Sequence, residues 1–187
     1  QMIKNPYGTT EMVRKFQNLD VTWTTETKPS GAGFSMAAFW KAPLAAAPRV
    51  VFHVGENKFS GLGKFAKEMM SNTKHNWAPV FPTKIETGNA KLDERFQVWG
   101  ENQQAVMSVL ANPALQQALL ALDEVDLVVR QNEVSFADPM QTNVRNGMGG
   151  TAGMMAAAGN PGKMMEMSLP VNDRICQLMV EAVRAVG

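Results

Sequence analysis

Few residues in this chain have the type and spacing to do chemistry. His53, His75 and the single Cys176 supply only three nitrogen or sulfur ligands, one short of a closed zinc site. Cys176 falls beside the apolar stripe of a C-terminal helical segment and reads as a small buried hydrophobe. A nucleophile would need Cys176, a serine or a threonine beside a histidine. The chain has no Gly-x-Ser-x-Gly elbow, and nothing in its spacing pairs Cys176 with His53. Two acidic groups remain, Asp93-Glu94 and Asp123-Glu124 with Asp126. Adjacent residues on a strand point to opposite faces, so Asp93 and Glu94 would diverge there. The second group lies at a helix-to-strand junction, where acids are ordinarily solvated. Neither has the regular oxygen spacing of a calcium loop.

Three further segments could bind rather than react. Gly61-Leu62-Gly63-Lys64-Phe65 follows a strand and opens a helix, but Lys58 and Phe65 stand where a phosphate loop needs glycine and a hydroxyl. The preferred reading is a glycine-rich turn. The segment 58–75 carries Lys58, Lys64, Lys67, Lys74 and His75, with Phe59, Phe65 and Trp77 nearby. Such a segment could contact an anion, a phospholipid headgroup or a nucleic acid. The preferred reading makes the aromatics core and the lysines a solvated face, so nucleic acid is not favoured as a partner.

The third segment, Met140 to Met167, holds half of the 14 methionines, with six glycines among them. Thioethers are soft ligands that select Cu(I), and Met154, Met155, Met164, Met165 and Met167 are the candidate ligands. The same methionines could form an adaptable partner surface. Copper-handling loops usually mix in His or Cys, and this one has neither. An insertion without fixed structure is preferred, the partner surface next and the copper site last, so no cofactor is expected.

The elements that would position these residues follow from composition and period. At 187 residues, 45% hydrophobic and +1 in net charge, the chain has enough apolar surface for one core. With 18 basic against 17 acidic residues, no global field steers it toward nucleic acid or anionic lipid. No apolar run is long enough to span a bilayer. The first residues are too polar for a signal peptide. The initial Gln1 is compatible with a membrane anchor on a missing upstream segment.

Thr9 to Leu19 reads as a short helix, a stem over residues 1–20. Val21–Thr27 alternates, as do Phe34–Lys41 and Arg49–Val54. Ser60–Ser71 has helical spacing. Val80–Thr87 and Glu94–Trp99 are extended. Asn102–Leu110 suits a helix, and Asn112-Pro113 starts another, with Leu115, Ala118, Leu119 and Leu122 as its buried stripe. Val125–Arg130 and Val134–Ala137 form a hairpin. Asn172–Val186 closes the chain as a helix, buried through Ile175, Met179, Ala182, Val183 and Val186.

Thr87-Gly88, Leu92-Asp93-Glu94-Arg95-Phe96-Gln97-Val98, Asn112-Pro113-Ala114-Leu115 and Leu119-Leu120 resemble a group of bacterial domains of unknown function. Those domains carry a Thr-Gly, an Asp-x-x-Phe-x-Val strand and a Leu-Leu-x-Pro helix ending in Leu-Leu. They are commonly the soluble part behind transmembrane helices. The likeness spans Thr87 to Leu122 and the hairpin that follows. Leu92 stands where the group usually has Phe, and Ala111-Asn112 where a Leu usually precedes the proline. The resemblance implies a bacterial, membrane-tethered, non-enzymatic domain and brings no catalytic residue.

The sequence therefore predicts an α+β fold, with one antiparallel sheet of about six strands packed on helices. Residues 21–187 form the domain, and 140–168 is a Met/Gly-rich loop. The expected role is binding or scaffolding, with a protein partner or by self-association, and a location in the bacterial cytoplasm or on the cytoplasmic membrane face over the periplasm. Whether the chain is an enzyme is left open.

Overall fold

The computed structural model describes residues 2–4, 10–30, 33–48, 50–57, 81–130, 132–138 and 161–187. The strands are β1 (Met2–Lys4), β2 (Thr10–Phe16), β3 (Leu19–Ser30), β4 (Gly33–Pro43), β5 (Phe52–Glu56), β6 (Thr83–Ile85), β7 (Phe96–Gly100), β8 (Asp126–Arg130) and β9 (Glu133–Ala137). The helices are α1 (Ala90–Arg95), α2 (Gln103–Leu110), α3 (Pro113–Leu120) and α4 (Pro161–Val186). The strands form one sheet in the order β1-β2-β3-β4-β9-β8-β5-β7-β6. Every neighbouring pair is antiparallel. The α+β class is as expected, but among the described residues the sheet has nine strands rather than about six.

The register turns the alternation of each strand into two rows that cross the sheet. Met12, Trp23, Trp40, Phe136, Leu127, Val54, Val98 and Ile85 are successive cross-strand partners from β2 to β6. Ala42, Val134, Val129, Phe52 and Gly100 make a parallel row two residues along. Because side chains alternate between faces, both rows lie on one face, and it is the face the helices cover. Trp40, Phe52, Val54, Val98, Leu127, Val129, Val134 and Phe136 join Leu110, Leu115, Leu119, Ile175, Met179 and Ala182 in a single buried core. Helix α4 lies against α3 and against β9, β4, β2 and β3.

One residue out of step lies the other row: Val13, Thr22, Lys41, Ser135, Val128, His53, Trp99 and Lys84. It is mixed in polarity and mostly half-buried, with Lys84 exposed and His53 buried.

Caps fix the helix starts. Asn102 accepts from Ala105 N at 3.0 Å. Asn112 accepts from Ala114 N at 2.9 Å and Leu115 N at 3.3 Å, with Pro113 in the first turn. This is the start that the Asn-Pro pair predicts. Leu115, Ala118, Leu119 and Leu122 are buried as their spacing requires.

Several expectations need correction. Within the segment expected as a helix from Thr9 to Leu19, residues 10–16 are a strand, and they form no helical stem. Thr10–Phe16 pairs with Leu19–Thr24 as a hairpin. Its two-residue loop, Gln17-Asn18, has φ of 48° and 67°, the positive values that match the twist of the flanking strands. Strand β5 begins at Phe52 rather than Arg49. Asp93, Glu94 and Arg95 belong to α1, so the strand expected from Glu94 starts at Phe96. Helix α4 starts at Pro161, so residues 161–168 are helical rather than part of a loop. The helix expected over Ser60–Ser71 and the stretch 140–160 lie outside the described residues. Among the described residues, no helix is long and apolar enough to cross a membrane.

Candidate functional site

Among the described residues, His53 is the reactive side chain that the fold both buries and pairs with an acid. It sits on β5 in the mixed row, between Val128 on β8 and Trp99 on β7. Its imidazole is 1% exposed, and Nε2 lies 2.6 Å from Oδ1 of Asp126, whose side chain is 54% exposed. Asp126 faces Gly55 across the β5–β8 ladder, so the contact runs diagonally along one face of the sheet.

Gly55 makes that diagonal possible. A Cβ there would sit 2.9 Å from His53 Cε1, closer than carbon atoms approach, and 3.4 Å from Nε2. The imidazole therefore lies over a bare stretch of backbone, a recurrent use of glycine within a strand. The Phe81 ring stacks on His53 with centroids 6.2 Å apart and planes inclined by 27°. Gln97, opposite Gly55 on β7, is buried and reaches Asn57 Oδ1 at 3.5 Å.

In an acid–histidine catalytic pair, the carboxylate is buried and orients one ring nitrogen while the other faces substrate. Here the polarity is inverted. The ring is buried, the carboxylate meets solvent, and Nε2 is engaged by it. The geometry ties β5 to β8.

Glu56, at the end of β5, forms a second polar junction. Its Oε1 accepts from Val125 N at 3.0 Å and from Arg95 Nη2 at 3.4 Å. Arg95 also donates to Leu120 O, at the end of α3, at 3.1 Å and to Leu122 O just beyond it. Its guanidinium lies over the Phe96 ring. Burial pushes the Glu56 carboxyl above its usual range. The Arg95 charge and the bonds from Val125 and Arg95 oppose that shift, and the nearby Glu124 adds to it.

Asp93 has an equally architectural role. Its carboxylate accepts from Thr87 N and Thr87 Oγ1, each at 2.8 Å, and from Gly88 N at 3.0 Å. Gly88 has φ +75°, which a residue with a Cβ adopts only at a cost. Asn89 caps α1 and donates to Gln116, which in turn donates to Leu110 O at 2.7 Å. Thr87, Gly88 and Asp93 thus build one turn, and Asn89 with Gln116 docks the three helices together. Glu94, Asp123 and Glu124 are exposed, as the sequence reading of the 123–126 acids expects. Asp126 departs from it only in holding His53.

Cys176 is fully buried in the α4 stripe, and burial pushes its thiol pKa up, so it is not poised as a nucleophile. It belongs to the helix-covered core, whereas His53 belongs to the opposite row, so the two are not brought together.

Gln17 in the β2–β3 loop exchanges bonds with α4. It donates to Gln177 at 2.8 Å and accepts from Arg184 at 3.1 Å, while Arg14 pairs with Asp173 at 2.5 Å. Both Gln177 and Arg184 reach the buried Glu181.

The basic candidates Lys58, Lys64, Lys67, Lys74 and His75, and the candidate ligands Met154 and Met155, lie outside the described residues. Met164, Met165 and Met167 fall on the backbone of α4, with their side chains outside them. Among the described residues, no three His, Cys, Asp or Glu side chains converge as metal ligands.

The sequence names His53 and Asp126 separately and does not connect them. Their meeting depends on β5 pairing with β8, which no local pattern specifies. The available signal was Gly55, a glycine two residues after a histidine within a strand.

Set against family models, curated proteins and the solved structures, the chain matches none.

Proposed function

We propose that this chain is a non-catalytic binding or scaffolding module, acting through contact with a protein partner or with a second copy of itself. The observation that carries this reading is the inverted His53–Asp126 pair, in which the ring is buried and its carboxylate partner is the exposed member. The other reactive groups point the same way. Asp93 holds the Thr87-Gly88 turn, Glu56 and Arg95 join β5 to the end of α3, and Cys176 fills the core. Side chains spent on architecture are not free to bind a reacting atom. On this reading the chain is the soluble part of a bacterial membrane-associated protein, the setting that the resemblance read from Thr87–Leu122 implies.

The test runs two measurements on the full chain. Sedimentation velocity and in-cell cross-linking report self-association or a stoichiometric partner. A panel of ester, amide and phosphoester substrates is assayed in parallel with wild type, His53→Asn and Asp126→Asn. The reading expects a defined assembly and no turnover. Turnover that both substitutions abolish, while circular dichroism and melting temperature hold, would sink it.

A further inference from the structure

We draw no further inference here: the strongest candidate, the buried His53 and exposed Asp126 pair beneath Phe81 on the sheet face opposite the helices, belongs to the site already described, and no second observation among the described residues points to a ligand for it.

Discussion

The rows Met12–Trp23–Trp40–Phe136–Leu127–Val54–Val98–Ile85 and Val13–Thr22–Lys41–Ser135–Val128–His53–Trp99–Lys84 run across the same strands, one residue apart. The first is almost wholly apolar and, apart from its rim at Met12, is covered by helices. The second mixes threonine, serine, lysine and histidine with apolar residues. Only His53 in it is fully buried, and it is bonded to an acid that is not. Stability on the first face comes from area removed from water, about 25 cal/mol per Å² of apolar surface. On the second it comes from individual geometric fits. A one-residue slip in any strand would exchange the two sets, so the contrast also fixes the register.

The most direct attack on this comparison substitutes neighbours on β9. Phe136→Ala empties a fully buried site in the apolar row and is expected to cost about 3–5 kcal/mol. Ser135→Ala, one residue away in the mixed row, is expected to stay within about 0.5 kcal/mol. Urea midpoints at constant slope measure both. Comparable costs would mean that the two faces are not held differently.

A smaller effect isolates the geometric fit. Gly55→Ala places a methyl against the buried His53 ring and is expected to cost about 1–3 kcal/mol. In a His53→Ala background, most of that cost should vanish, giving a coupling energy well above zero in a double-mutant cycle. Additive costs would show that the ring is not what requires glycine.

At the rim, polar ties replace both mechanisms. Arg14 and Asp173 are 37% and 53% exposed, so Arg14→Ala should cost about 0–1 kcal/mol, and less at high salt. A loss as large as that of Phe136→Ala would make the edge hairpin depend on charge rather than on strand pairing.

The smallest expected effect is a dependence on pH. Burial raises the Glu56 pKa above its ordinary 4.5, so the fold accommodates the protonated carboxyl better than the unfolded chain does. The stabilisation is full below the unfolded value and is lost as pH rises through the folded value. Unfolding free energies of wild type and Glu56→Gln, compared from below pH 4.5 upward, should show wild type losing ground. A difference that is flat with pH, or that moves the other way, would contradict this assignment.

The legible parts of the fold are those where one periodicity dominates. Trp23 and Trp40 alternate within long strands, Asn112-Pro113 caps α3 as read, and the hairpin from 125 to 137 closes as its turn residues suggest. The hairpin at 10–24 is hidden in the sequence because Met12, Val13 and Phe16 also fit a helical stripe. Its turn uses Gln17-Asn18 at positive φ with no glycine to announce it. Helix α1 is six residues long with one buried side chain, Leu92, too short for any period to emerge. The site was less legible than the fold. His53 and Asp126 come from strands adjacent only in the folded order, and that order is a property of the whole chain.

That order also sets a sequence of events in time. Strands β1 to β4 pair with their chain neighbours and can zip locally as soon as they are made. The inner edge of β4 has its partner in β9, where Phe39 meets Ala137, with about half of the chain in between. During synthesis from the N-terminus, that edge waits for its partner until β9 has emerged. Long-range closures of this kind are entropically costly and slow, and an unpaired edge is where other chains can add. The join between β4 and β9 is thus the point at which a nascent copy is most open to pairing with the wrong molecule.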